Sequence, residues 1–193
     1  MYKAISGPRS AVYGDHVELT RITGAFSGRE QDTGRDFAST LGTGGVLGTK
    51  FTWPGNEPKY KTVALTPEKD AYWKKWISLY NEKMLSKGTF LDLYTIGYDV
   101  PEAYAIEKDG SMYYAFYAPQ KQAGSADRTG SSGDWAGSVE LRGLEAKSYR
   151  VTDYVNKKDY GVVSGPVANL KVAFTDNLLL QATPEGAAKS GGQ

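Results

Sequence analysis

The sequence predicts a mixed α+β fold in two parts, β/α units followed by an antiparallel β-sandwich. Three observations predict it. Residues 42–55 are rich in glycine and lie beside short apolar runs, residues 66–88 have helical periodicity, and from residue 89 the apolar period changes from 3.6 to 2. We expect the β/α part to span residues 1–88 and the sandwich residues 89–184, with a disordered tail at 185–193.

Composition excludes several classes of function. The chain has 193 residues, a formal net charge of +1, one histidine and no cysteine. Near-zero charge gives no support to a nucleic-acid partner, and the lack of cysteine removes thiolate chemistry and cysteine-based zinc sites. No apolar stretch is long enough to span a bilayer. We therefore expect a soluble protein without a cofactor, a metal, a nucleic-acid partner or a membrane partner.

The amino-terminal part predicts strands that end in polar loops. Ala11–Tyr13 is a short apolar run typical of a buried strand, and the glycine-rich run predicts a wide loop feeding a second strand, Lys50–Trp53. Strands of this kind are typical of a β/α (TIM) barrel, whose catalytic groups sit at the carboxyl ends of its strands. Asp15 and His16 follow the first predicted strand, and Trp53 ends the second.

The clearest helix is predicted after residue 65. Thr66 suits the N-cap, Pro67 the first helical position, and Gly88 the stop after the last turn. An apolar stripe runs along one face, for which we expect packing rather than ligand binding; its members are Tyr72, Trp73, Trp76, Ile77, Tyr80 and Met84.

Beyond residue 89 the pattern predicts about seven short strands without a helix. Asp109-Gly110 predicts a hairpin turn, and 156–158 and 176–177 are further turn candidates. Residues 119–134 are small and polar, which predicts an exposed, mobile loop. Aromatic residues make up 12% of the chain, which suits a β-rich core and also a sugar-stacking surface.

The direction in which the tyrosines of this part point distinguishes packing in the core from a binding surface. If they fall on inward faces, no binding platform remains; because Tyr113 and Tyr114 are adjacent, one of them is predicted to point outward. The tyrosines concerned are Tyr94, Tyr98, Tyr104, Tyr113, Tyr114 and Tyr117.

Three stretches resemble a known family. "AISGPRSAVYGDHVE", "DFASTLGTGGVLGTKFTWP" and "YRVTDYVNKKDYGVVSGPVANLKVAFTDNLLLQATP" are similar to the carboxy-terminal third of melibiase-type α-galactosidases, glycoside hydrolase family 36 and its relatives. The resemblance covers residues 1–184. It implies the last units of a TIM barrel followed by a C-terminal antiparallel β-sandwich.

The resemblance also implies a function. Such enzymes are retaining glycosidases with two catalytic Asp residues, whose carboxyls must lie about 5 Å apart. Both would belong to the barrel half that precedes this region, so no catalytic residue is expected here and the chain alone is expected to be inactive. Its partners would be an α-galactoside or related sugar and that barrel half. Asp15, His16 and Trp53 would bind the sugar.

Structural interpretations stay open beside these. Asp15 could cap a turn, His16 could be a satisfied structural histidine, and Trp53 could pack in the core. A second hypothesis is a non-catalytic carbohydrate-binding or accessory β-sandwich module. The sequence does not define a compartment, and secreted or periplasmic locations stay open for a full-length enzyme.

Overall fold

The computed structural model describes residues 2–13, 16–18, 35–50, 67–95, 97–119 and 133–186. Three α-helices, a 3₁₀ helix at Leu85–Lys87 and ten strands lie in these ranges. The helices are α1 (Tyr2–Ser6), α2 (Arg35–Gly42) and α3 (Pro67–Lys83). The strands are β1 (His16–Glu18), β2 (Gly48–Lys50), β3 (Thr89–Leu91), β4 (Glu102–Lys108), β5 (Ser111–Tyr117), β6 (Asp134–Leu141), β7 (Ser148–Asp153), β8 (Lys158–Ser164), β9 (Ala168–Thr175) and β10 (Asn177–Pro184).

An antiparallel six-stranded sheet forms the middle of the fold, in the order β3-β4-β5-β10-β7-β8. Strands β6 and β9 pair with each other in a second antiparallel sheet. One apolar cluster joins the two sheets, with Tyr114 and Phe116 of β5 beside Val139 of β6 and Val172 of β9. The predicted antiparallel sandwich is therefore present, with eight strands between residues 89 and 184.

Helices α2 and α3 cover the other face of the six-stranded sheet. A second apolar cluster joins Phe37 of α2 and Trp76 of α3 to Ile106, Tyr113 and Leu179 of the sheet. All residues of β5 from Ser111 to Phe116 are buried, because alternate side chains enter the two clusters. The chain is thus layered as helices, large sheet and small sheet.

The predicted hairpin turns are confirmed. Asp109 and Gly110 both have positive φ, 50° and 73°, which is the geometry of the turn that matches strand twist. Lys157 between β7 and β8 and Asp176 between β9 and β10 are also left-handed. The Asp153 carboxylate stabilises the first of these connections by accepting from the backbone N–H groups of Val155 and Asn156 at 2.9 and 3.0 Å.

Helix α3 is confirmed as a packing element, since Trp73 and Trp76 are buried. Pro67 is its first residue, while the predicted N-cap Thr66 lies outside the described ranges. The predicted stop at Gly88 is wrong: α3 ends at Lys83, and Met84 takes the left-handed conformation. Gly88 has another role, because a Cβ there would lie 2.5 Å from Cγ2 of Ile106.

The tyrosine prediction needs a correction. Tyr113 and Tyr114 point to opposite faces, yet both are buried because helices cover one face and β6/β9 the other. Tyr94 is also buried, and Tyr104 and Tyr117 pack partly buried against the helix-side cluster. Tyr98 alone of the six is exposed, at 85%.

Other expectations fall outside the described part of the chain. These are residues 120–132 of the loop predicted at 119–134 and residues 187–193 of the tail predicted at 185–193; Asp134 is the first residue of β6. None of the helices in the described ranges is long and apolar enough to cross a membrane.

Candidate functional site

Strands β1 and β2 form a parallel pair whose connection contains α2. His16 is opposite Gly48, Val17 opposite Thr49, and Glu18 opposite Lys50. Parallel neighbours need a crossover, and here α2 supplies its helix. The pair therefore has the connectivity of a single β/α unit.

The strand bounds differ from the predicted ones. Ala11–Tyr13 is not a strand: its Val12 carbonyl accepts one hydrogen bond, from the Val46 N–H at 2.7 Å, and β1 begins at His16. Strand β2 begins at Gly48, inside the glycine-rich run, and is described as far as Lys50. Residues 51–53 of the predicted strand Lys50–Trp53 lie outside the described residues.

These bounds change what can be said of the predicted sugar-binding residues. Asp15 and Trp53 lie outside the described residues, and of His16 only the backbone is described. His16 is part of β1 and not of a loop after that strand. Glu18 and Lys50 are the last described residues of the two strands.

The glycine-rich segment is more ordered than the predicted wide loop. Gly42 is the last residue of α2, and Gly44 has a φ of +67°. The Gly45 N–H donates to the Thr40 carbonyl at 2.8 Å and the Gly44 N–H to the Leu41 carbonyl at 3.1 Å. This pair of bonds is a Schellman motif, which ends the helix and turns the chain toward β2.

Helix α2 is fixed on the six-stranded sheet by close contacts. The Phe37 ring stacks on Trp76 of α3 with centroids 5.9 Å apart. The Tyr117 hydroxyl, at the end of β5, donates to the Ala38 carbonyl at 2.9 Å. At Gly42 a Cβ would lie 2.3 Å from the Tyr117 hydroxyl oxygen and 2.5 Å from Cβ of Ala115. The sandwich thereby sets the position of the helix that connects β1 to β2.

The amino-terminal segment is attached to the same structure. The Lys3 side chain is buried, and its ammonium donates to the Ser86 carbonyl at 3.0 Å. Burial lowers the pKa of Lys3. The Pro8 carbonyl accepts from the Phe90 N–H at 2.9 Å, which extends the bonding at edge strand β3. A buried lysine in a five-residue helix has no sequence signal, so sequence reasoning missed this anchor.

A polar cluster centred on Arg142 lies on the opposite side of the sandwich. The guanidinium bonds the Asp99 carboxylate at 3.2 and 3.3 Å, Glu140 at 2.6 Å and the Leu93 carbonyl at 2.9 Å. It also lies over the Tyr94 ring, 4.8 Å from the centroid. Hydrogen bonds from the Thr95 N–H and from Arg142 lower the pKa of Asp99. These bonds tie Arg142, which follows β6, to the β3–β4 connection, and the cluster thus acts as a clamp that holds this connection.

Burial keeps the core tyrosines protonated. Desolvation raises the pKa of Tyr94 and of Tyr113 to about 12 each. The Tyr94 hydroxyl donates to the Glu140 carbonyl at 2.5 Å, and the Tyr114 hydroxyl to the Arg142 carbonyl at 2.7 Å. These hydroxyls serve as structural donors, and their environment does not suit proton transfer near neutral pH.

Two buried tyrosines offer a matched stability test. Tyr117→Phe is expected to cost about 1 kcal/mol because it removes the bond to Ala38, whereas Tyr154→Phe is expected to be neutral or stabilising. The Tyr154 hydroxyl is buried without a hydrogen-bond partner in the described part of the chain. Urea unfolding of both variants checks this, and equal losses would contradict it.

Comparison with known proteins gives one relative in sequence. Over 184 residues the chain is 33% identical to an A type blood α-D-galactosamine galactosaminidase of Flavonifractor plautii. The alignment covers 94% of this chain and 14% of that protein, so the chain spans about a seventh of its relative's length. No protein-family model matches the chain. The chain is thus related to one segment of a galactosaminidase.

Two solved structures align with the chain at low sequence identity. An α-amylase of Anoxybacillus aligns with a TM-score of 0.50 and 11% identity, over 90% of this chain and 39% of its own. A GH27 β-L-arabinopyranosidase of Geobacillus stearothermophilus aligns with a TM-score of 0.48 and 12% identity, over 84% of this chain and 32% of its own. At this identity the likeness to the amylase is one of fold alone.

Proposed function

We propose that this chain is a segment of a galactosaminidase-like retaining glycoside hydrolase of the melibiase type, in which it supplies the last β/α units of a barrel and a supporting β-sandwich. The observation that carries the proposal is the 33% identity over 184 residues with a galactosaminidase. That alignment extends through both parts of the chain, so the β/α part and the sandwich are related to that enzyme together.

The parallel pair supports the barrel part of the proposal. Parallel sheets occur in proteins whose strands are covered on both faces by crossover helices, and two parallel strands cannot close a barrel. Strands β1 and β2, with α2 between them, would extend a sheet whose other strands come from a longer polypeptide. The two catalytic carboxylates would come from that polypeptide as well, since their separation of about 5 Å needs a closed barrel to fix it.

The direction of the strands favours one of the candidate sugar-binding residues over the others. Lys50 is the last described residue of β2, and Trp53 follows three residues later in the sequence. His16 lies within β1, and Asp15 precedes it in the sequence. Because β/α barrels bind substrates beyond the carboxyl ends of their strands, we infer that Trp53, which follows β2 in the sequence, contributes more to a sugar pocket than Asp15 and His16 do.

A chimera tests the proposal. We expect no hydrolysis of an aryl α-galactosaminide or α-galactoside by the chain alone, and turnover when the chain replaces the matching segment of the Flavonifractor enzyme. Trp53→Ala in the chimera is expected to raise KM about tenfold through the loss of one stacking contact, and His16→Ala to leave KM within about twofold.

The controls separate folding from function. Thermal unfolding of each chimera shows whether it is folded. Tyr160→Phe serves as the control variant, because β8 is an edge strand and lies two strands away from β10, which packs against α2. Robust hydrolysis by the chain alone would contradict the assignment of the catalytic pair to another segment. A folded chimera in which both Trp53→Ala and His16→Ala keep their KM would contradict the pocket-wall role.

The alternative function, a carbohydrate-binding platform of tyrosines on the sandwich, has less support. Of the six tyrosines that would build it, Tyr98 alone is well exposed, and the others lie in or against the two cores. These six tyrosines therefore do not form a flat row of exposed stacking rings.

A further inference from the structure

The amino-terminal segment, residues 2–13, bonds the sandwich at one point and the entry of β2 at another. The Pro8 carbonyl accepts from the Phe90 N–H of edge strand β3 at 2.9 Å. Further along the segment, the Val12 carbonyl accepts from the Val46 N–H, just before β2 begins, at 2.7 Å. The segment therefore connects the edge of the large sheet with the parallel pair, and it precedes β1 in the sequence.

Lys3 lies in this segment at a place where three elements meet. It belongs to α1, it is 3% exposed, and its ammonium donates to the Ser86 carbonyl of the 3₁₀ helix at 3.0 Å. The turn that ends α2 contacts the same place, because a Cβ at Gly44 would lie 3.5 Å from Nζ of Lys3 and 3.0 Å from the Leu85 carbonyl oxygen. The ammonium is thus packed between α1, the end of α2 and the 3₁₀ helix.

Within the described ranges, helical backbone and not an acidic side chain faces the charge of Lys3. Burying an ammonium costs free energy unless polar groups replace the water that it loses. The carbonyl end of a helix carries partial negative charge, and Nζ lies beside the end of α2 as well as the Ser86 carbonyl. A cation at this position therefore holds the two elements together, whereas a neutral side chain would leave the Ser86 carbonyl without its donor.

We propose that Lys3 is a positioning residue, which anchors residues 2–13 at this junction and so sets the place of β1 and β2 relative to the sandwich. Lys3 would not touch a substrate. It would act through the Pro8 and Val12 carbonyls, which hold the segment at β3 and at the entry of β2. Its link to catalysis rests on the proposed function, in which β1 and β2 belong to the part that borders the sugar.

Hydrogen exchange in the full 193-residue chain tests the anchor without any need for enzyme activity. Lys3→Met keeps a long side chain and removes its charge. We expect at least tenfold faster exchange of the Phe90 and Val46 amides, because their acceptors lie in the segment that Lys3 anchors. The amides that pair β5 with β10 should stay within about twofold of the parent chain, since they lie in the centre of the sheet.

Lys83→Met is the matched control. Lys83 is also a largely buried lysine, with 13% of its side chain exposed, but its ammonium donates to Gln181 of β10 at 3.1 Å. In the described part of the chain it has no hydrogen bond to residues 2–13. Removing this charge should therefore leave the exchange of the Phe90 and Val46 amides within about twofold of the parent chain.

A second measurement links the anchor to the proposed pocket. In the chimera, Lys3→Met is expected to raise KM about fivefold and to leave kcat within about twofold, because β1 and β2 shift while the catalytic carboxylates come from another segment. Lys83→Met is expected to leave KM within about twofold, even where it lowers the unfolding temperature by as much as Lys3→Met does.

Two outcomes of the exchange experiment would overturn the proposal. In one, Lys3→Met leaves the Phe90 and Val46 amides unchanged; in the other, it accelerates all amides of the sheet equally, which would make Lys3 a general stabiliser. An unchanged KM in an active Lys3→Met chimera would overturn the link to the pocket. An inactive parent chimera would count against the proposed function alone, because the exchange experiment does not depend on turnover.

Discussion

Gly42→Ala is expected to destabilise the chain by roughly 2 kcal/mol, although alanine in a helix is usually better than glycine by about 1 kcal/mol. The new Cβ would lie 2.5 Å from Cβ of Ala115 and 2.3 Å from the Tyr117 hydroxyl oxygen. Ala115 belongs to the central strand β5 and cannot move, so α2 must shift. The clash therefore outweighs the gain in helix propensity, and urea unfolding measures the difference.

A double-mutant cycle assigns this loss to the contact. Ala115→Gly removes the methyl group nearest to the new Cβ, so Gly42→Ala should cost at least 1 kcal/mol less in the Ala115→Gly background. An equal cost in both backgrounds would show that the destabilisation by Gly42→Ala does not come from contact with Ala115. In the chimera we expect Gly42→Ala to lower turnover as well, because α2 connects the two strands beside the proposed pocket.

Phe116→Ala is expected to cost about 3–5 kcal/mol, the range for removing a fully buried aromatic ring. Phe116 is 1% exposed and contacts the rings of Tyr94 and Tyr114, with centroids 6.1 and 6.3 Å away. It lies between Ala103 on β4 and Leu178 on β10, so neighbouring side chains have little freedom to fill the cavity.

Two comparisons show whether the loss comes from the cavity. Phe116→Leu keeps most of the volume and should cost markedly less than Phe116→Ala. Val162→Ala, at an exposed position of β8, should stay within about 0.5 kcal/mol of the parent chain. A Phe116→Ala variant as stable as Val162→Ala would mean that the cluster between the sheets does not support the fold.

Short sequence patterns correctly predict the hairpin turn and the start of α3, because each depends on one or two neighbouring residues. Asp109-Gly110 specifies a hairpin turn because both residues tolerate positive φ, and Pro67 begins α3 because proline suits the first helical position. The face that each strand buries depends on what covers the sheet. The alternation around Tyr113 and Tyr114 predicts one exposed ring, and only the packing of α2 and α3 shows why both are buried.

The candidate site is predicted less well, for the same reason. The start of β2 at Gly48 follows the Schellman turn at Gly44 and the pairing with β1, and apolar periodicity does not indicate it. The prediction that Asp15, His16 and Trp53 bind sugar stays a prediction. The clamp at Arg142 joins residues more than 40 positions apart, which no sequence window brings together.

Covering the large sheet on both sides has an evolutionary consequence. Without α2 and α3, the large sheet would expose an apolar surface to solvent that includes Ile106, Tyr113 and Leu179. A recombination event that moved the strands without α2 and α3 would leave this surface exposed, so the helices and strands are expected to be inherited together. The match to the galactosaminidase covers 94% of this chain and so includes both parts.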